Sequence, residues 1–223
     1  MSVSDQTTSA QGRIFIVDDH PVVRDGLRGL IEHERDLGVC GESGEAAGAL
    51  AGIQSTQPNL VLLDLSLQQG SGMELLKDLA IQHPSISVLV ISMHDEMIYA
   101  ERALRAGARG YVMKGSTSQQ VITAIRRVLA GKVFVSDIVM SSIATKLGRP
   151  KGDRPPIHRL SDRELQVFEF LGQGLSTSEI AERMHLSVKT VQVYFARLKE
   201  KFGVSKAKEL LREAFRWNES GVE

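Results

Sequence analysis

Five side chains that close apolar runs in the first half of this 223-residue chain are of types that together could move a phosphoryl group. "IFIV" runs into Asp18 and Asp19, "LVLL" into Asp64, "SVLVI" into Ser92, and "GYVM" into Lys114. Three carboxylates drawn to one place repel one another unless a cation or a proton intervenes. Oxygen-only ligands suit a hard ion, and Mg2+ takes a few carboxylates together with water and phosphate oxygens. A lysine and a hydroxyl at the same place can bind the phosphoryl group. That set supports transfer of a phosphoryl group to a carboxylate, with Asp64 as nucleophile and Mg2+ and Lys114 neutralising charge. Singly, each has a plainer reading: an Asp at a strand end is a helix cap or turn former, and Lys114 before Gly115 a solvated lysine. The coincidence of all five at matching positions carries the inference.

The elements that must position them follow from the hydrophobic pattern. Apolar runs at 14–17, 38–42, 60–64, 87–92 and 110–113 alternate with helix-period segments at 21–34, 45–57, 73–82, 96–106 and 117–130. Near-continuously apolar strands, each followed by a helix, predict a parallel sheet covered on both faces. Five such units predict an α/β, flavodoxin-like, doubly wound (βα)5 domain with strand order 2-1-3-4-5, whose site lies beyond the carboxyl ends of the strands.

After Gly131 the alternation stops. Residues 137–148 predict one short helix, and "RPKGDRPPIHR" reads as an interdomain linker. Beyond it come only helices, a small all-α four-helix unit. One is capped by Ser161 with Glu164 three residues on and ends at Gly172 or Gly174. A short one is capped near Ser176 or Thr177, a longer one runs from Ser187 to Gly203, and a last one covers 206–217. Two short helices with a tight connection and then a longer basic one read as a helix-turn-helix.

Composition bounds the remainder. Hydrophobic residues at 42% and charged residues at 24% are ordinary for a globular protein. No apolar run approaches the roughly 18 residues of a membrane span, and the polar opening "MSVSDQTTSAQG" reads as a disordered tail. The single cysteine, Cys40, fits a reducing cytoplasm. Formal net charge is zero, but residues 183–208 hold seven basic side chains against one acidic, a stripe suited to a phosphate backbone.

The motifs "VDDHP", "LVLLDL", "VLVISMHDE" and "LRAGARGYVMK" resemble the receiver domain of two-component response regulators over residues 13–132. "LSDRELQVFEFLGQGLSTSEIAERMHLSVKTVQVYFARLKEKFGV" resembles a LuxR-type DNA-binding domain, giving residues 159–218. A tail at 1–12 and a linker at 133–158 complete a NarL/FixJ-type plan. The resemblance implies Asp64 as phosphoacceptor, and Mg2+ held by Asp18, Asp19, Asp64 and the backbone carbonyl of Ser66. It also implies Ser92 as switch hydroxyl, Tyr111 as switch aromatic and Lys114 as the phosphate-binding lysine. A sensor histidine kinase, double-stranded DNA, RNA polymerase and a second copy of the chain in a homodimer are the partners it implies.

On the long basic helix, Val191, Phe195, Leu198 and Phe202 recur at core spacing. Lys189, Gln192, Val193, Tyr194 and Arg197 are left to face DNA, with Lys199 and Lys201 toward phosphates. Ser176, Thr177, Ser187 and Thr190 sit at helix starts suited to phosphate oxygens. Two departures stand out. Leu67 and Gln68 replace the Met-Pro the family carries after the phosphoacceptor, predicting a looser loop and an altered phosphoryl lifetime; Gln192, Val193 and Tyr194 depart on the DNA-facing helix. His20 and His94 flank the acidic residues, but imidazoles prefer softer ions. Two rival readings are a Mg2+-dependent phosphohydrolase with an aspartyl intermediate and a protein-binding tail. The first lacks a general-acid carboxylate at Ser66, and the second is tested by salt dependence.

Overall fold

The β-branched and leucine-rich runs of the first half form strands buried on both faces, as a parallel sheet requires. The computed structural model describes residues 12–67, 71–147 and 155–220, divided into two units, Met1–Ala144 and Thr145–Glu223. The expected tail up to residue 11, the loop of Gln68, Gln69 and Gly70, and residues 148–154 of the expected linker lie outside the described residues.

In the first unit the elements alternate without exception as far as α5. They are β1 (Gly12–Val17), α1 (Pro21–Glu32), β2 (Leu37–Ser43), α2 (Ala46–Thr56), β3 (Leu60–Leu63), α3 (Gly72–Gln82), β4 (Ser87–Ser92), α4 (Glu96–Ala106), β5 (Gly110–Met113) and α5 (Ser118–Leu129). The strands are parallel in the order β2-β1-β3-β4-β5. Ile14, Ile16, Leu60, Leu62, Leu89 and Ile91 pack on one face against Leu27 and Ile31 of α1 and Ile122, Ile125 and Val128 of α5. On the other face Phe15 lies under Gly52 of α2, and α2, α3 and α4 follow side by side. Gly12, placed in the tail by sequence, is the first residue of β1, its N–H donating to the Asp36 carbonyl.

Phe134 completes the sheet edge. Its carbonyl accepts from the Tyr111 N–H and its N–H donates to the Arg109 carbonyl. The first unit therefore continues past Lys132, through most of α6 (Asp137–Leu147), where the sequence pattern began a linker.

The second unit opens with a 3-10 turn at Pro156–Arg159 and holds α7 (Asp162–Gly172), α8 (Thr177–Arg183), α9 (Val188–Phe202) and α10 (Ala207–Ser220). Leu165, Phe168, Ile180, Val191, Leu198 and Leu210 are fully buried and form its core. Capping boxes at Ser161–Glu164 and Ser176–Glu179 start α7 and α8, and Gly174, at φ +83°, turns the chain between them. Among the described residues no helix is long and apolar enough to cross a membrane.

Candidate functional site

Backbone hydrogen bonds align the strand tips at the carboxyl edge. The Asp18 N–H donates to the Ser43 carbonyl, the Asp64 N–H to Val17, and the Lys114 N–H to Ser92. Each functional side chain is thus set by the strand before it, and the turn just beyond the strand leaves it free to face its neighbours. Asp18, Asp64 and Ser92 are fully buried, and the side chains of Asp19 and Lys114 nearly so.

Lys114 Nζ lies 2.7 Å from Asp64 Oδ2 and 2.7 Å from Asp18 Oδ2. Burial lowers the affinity of the Lys114 amine for its proton, but hydrogen bonds and charge from Asp18 and Asp64 outweigh it and hold the pKa above its ordinary value. The lysine is therefore a fixed cation. Asp64 Oδ1 accepts from the Ser66 N–H at 3.1 Å, and Asp18 Oδ1 accepts from the His20 N–H at 2.9 Å.

One lysine does not balance three carboxylates. Both oxygens of Asp19 are buried with no hydrogen-bond partner among the described residues, although His20 Nδ1 stands 2.7 Å from Asp19 Oδ1. One ligand atom from each of Asp18, Asp19, His20 and Asp64 lies within 4.8 Å of the others. Buried carboxylate oxygens left without donors are the expected appearance of a seat for a hard cation, and the oxygen-rich set fits one. His20, set aside from sequence, sits at the edge of this cluster. Its position directly after Asp18-Asp19 was the available signal.

Ser92 and Tyr111 lie together. Burial raises the Tyr111 phenol far above its ordinary pKa, opposed by a hydrogen bond with Ser92, and its hydroxyl donates to the His94 carbonyl at 2.8 Å. The plain core reading of this aromatic is thus half right: it is buried, but its polar end is held at the site. Two contacts were not read from sequence. Arg24, one turn into α1, donates to the Asp18 carbonyl at 2.6 Å, and the His94 ring bonds the Ser66 hydroxyl at 2.9 Å. For Ser66, the side chain is exposed and engaged by His94.

In the second unit α9 carries the basic stripe. Lys189, Gln192, Val193 and Arg197 are exposed; Thr190, Tyr194 and Lys199 are partly buried. Ser187 caps the helix, its hydroxyl accepting from the Thr190 N–H and lying 2.7 Å from the Thr190 hydroxyl; exposed Ser176 likewise caps α8, with Thr177 following. Lys201 is turned inward instead. It donates to buried Glu164 at 2.6 Å and to the Arg159 carbonyl at 3.0 Å, which ties α9 to α7 and gives it a structural task. Of the four core positions expected on α9, Val191 and Leu198 are fully buried, while Phe195 and Phe202 are half-buried; Phe202 stacks on Phe168 at 4.6 Å. Trp217 also packs on Phe168, whereas Phe215 is exposed.

A doubly wound sheet with an acidic, lysine-bearing pocket at its carboxyl edge, followed by a four-helix unit with a basic third helix, defines the class of a receiver joined to a helix-turn-helix. Residues 14–126 match the response regulator receiver domain, and residues 158–214 match the bacterial regulatory proteins of the luxR family. The chain is 34% identical over 194 residues to the DNA-binding transcriptional activator DevR/DosR of Mycobacterium tuberculosis, covering 87% of this chain and 89% of that protein. It is 37% identical over 202 residues to the transcriptional regulatory protein UhpA of Escherichia coli, covering 91% and 97%. Among solved structures, RcsB from Salmonella enterica serovar Typhimurium, bound to a promoter in the presence of the phosphomimetic BeF3-, superposes with a TM-score of 0.70 at 25% identity, covering 92% of this chain and 98% of that one. The chain belongs to the response regulators of NarL/FixJ type, in which a receiver domain precedes a LuxR-type DNA-binding domain. Its relatives are transcription regulators, and the phosphohydrolase reading falls with that.

Proposed function

We propose that Asp64 accepts a phosphoryl group from a sensor histidine kinase and that this event controls sequence-specific binding of the second unit to double-stranded DNA. The observation that carries the reading is Lys114 Nζ at 2.7 Å from both Asp64 and Asp18, beside the unpartnered oxygens of Asp19. Asp18, Asp19, Asp64 and the Ser66 carbonyl hold Mg2+, which when bound offsets negative charge on the incoming phosphoryl oxygens. Lys114 offsets the same charge, and Ser92 and Tyr111 reposition when the group arrives. The added charge, about −1.5 to −2, is large enough to bias a two-state contact.

Lys189, Gln192, Val193, Tyr194 and Arg197 of α9 meet base edges, Lys199 meets phosphate, and Ser176, Thr177, Ser187 and Thr190 meet phosphate oxygens from helix starts. Two copies read paired half-sites as a homodimer, with RNA polymerase as the downstream partner. The test of the first step is incubation with Mg2+ and acetyl phosphate, followed by mass mapping of the acyl phosphate. The label is expected on Asp64 and absent from Asp64→Ala; equal labelling of that variant contradicts the assignment.

A further inference from the structure

The two carboxylates at the tip of β1 share a peptide, and the way that peptide faces decides where their oxygens lie. Asp18 is held through its backbone on two sides. Its N–H donates to the Ser43 carbonyl of β2 at 3.1 Å. Its carbonyl, which belongs to the peptide linking it to Asp19, accepts from Arg24 Nη1 at 2.6 Å. The first bond prolongs the pairing of β1 with β2, where Val17 lies opposite Ser43, and needs backbone alone. The second depends on one side chain, reaching back six residues from α1.

The guanidinium is itself kept in place by β2. Its side chain is 17% exposed, and Nε, buried and without a hydrogen-bond partner among the described residues, lies 3.9 Å from Glu42 Oε1. Arg28, one turn further along α1, pairs with the other oxygen of Glu42. Glu42 therefore joins α1 to β2 through two arginines, and Arg24 carries that anchorage on to the acidic edge. Charge alone gives no reason for a guanidinium here, since a fixed positive charge beside a seat for a divalent cation opposes its binding. What the charge does supply is a short, strong hydrogen bond to the Asp18 carbonyl.

We infer that Arg24 is a positioning residue of the Mg2+ seat. By holding the Asp18 carbonyl it fixes the peptide between Asp18 and Asp19 and keeps both carboxylates grouped with Asp64, while Glu42 keeps the guanidinium in place. This rests on the reading of the acidic cluster as a Mg2+ seat.

The experiment is calorimetric titration of the apo full chain with Mg2+, in wild type, Arg24→Met, Arg24→Gln and Arg24→Lys. Met keeps the apolar stem, and Gln ends where Nε stands, short of the carbonyl. Both remove a positive charge, which by charge alone tightens Mg2+ binding. The expected result is the opposite, affinity about tenfold weaker in both, the usual cost of losing a group that orients a metal ligand. Arg24→Lys, whose ammonium can reach the carbonyl with one donor, stays within about threefold of wild type. Labelling by acetyl phosphate separates this role from general damage. Arg24→Met is slowed at limiting Mg2+ and returns to within about twofold of wild type at saturating Mg2+, whereas a disrupted fold stays slow at both. Affinity unchanged or raised in the neutral variants, a loss in Arg24→Lys as large as in Arg24→Met, or labelling that saturating Mg2+ does not restore each overturns the inference. If Arg24→Met does not fold, Arg24→Gln decides the sign. Absence of Mg2+ binding by the wild type overturns the metal seat, and this inference with it. Absence of label on wild-type Asp64 overturns the proposed function, while the Mg2+ titrations still decide the role of Arg24.

Discussion

At the scale of single residues, the charge of the carboxylates at the receiver edge is only partly balanced by Lys114. Asp19 has a side chain almost wholly buried and two oxygens without donors among the described residues, so Asp19→Asn is expected to weaken Mg2+ binding by about tenfold or more, measured by calorimetric titration of the apo chain. Unchanged affinity would remove Asp19 from the ligand set. In the second unit, burial raises the Glu164 carboxyl, but the hydrogen bonds from Lys201 and Ser161 outweigh it and leave the pKa below the ordinary value. A depressed folded value means that stability is present above the unfolded pKa and lost as pH falls through the folded one. Thermal midpoints of the second unit should therefore drop on acidification below about pH 4.3, and Lys201→Met should reduce that dependence while costing about 1–3 kcal/mol at neutral pH. The acidic pocket was legible because its members are ordinary strand-end residues of telling type. The Lys201–Glu164 pair was not, since partners 37 residues apart leave no local signal and Lys201 shares the basic helix with residues that face outward.

At the scale of elements, local chemistry and packing agree closely. The capping boxes at Ser161 and Ser176, the Ser187 cap and the left-handed glycines end or begin helices where the sequence expects them, within a residue or two. The short helix expected from residue 137 is present as α6; what the pattern did not give is that residues 133–144 belong to the first unit. A single pairing residue, Phe134, finishes the edge of β5, and one bridge has no periodicity to detect. Gly72 shows how an element boundary serves the site. A Cβ there would strike the Asp64 carbonyl and the Leu65 backbone, so α3 can begin flush against the loop after Asp64 only with glycine. Gly72→Ala is expected to destabilise the first unit by about 1–3 kcal/mol in denaturant titrations and to slow labelling of Asp64; neither change would show that the loop yields freely. Ser187→Ala should cost the second unit about 1 kcal/mol by loss of the Thr190 N–H partner, read by the same titration.

At the scale of the whole molecule, a net charge of zero conceals a division of labour, with carboxylates clustered at the receiver edge and seven basic side chains within residues 183–208. A protein-binding tail would be nearly indifferent to salt, whereas phosphate contacts along α9 predict affinity for DNA that falls at least tenfold between 50 and 200 mM salt. The most direct test of the switch is fluorescence anisotropy of the full chain on a duplex selected from a random-sequence pool, before and after acetyl phosphate with Mg2+, with Asp64→Ala alongside. Binding should tighten on phosphorylation of the wild type and stay at the unphosphorylated level in Asp64→Ala. Equal affinity in all three samples, or tightening of Asp64→Ala, would contradict control of DNA binding through Asp64.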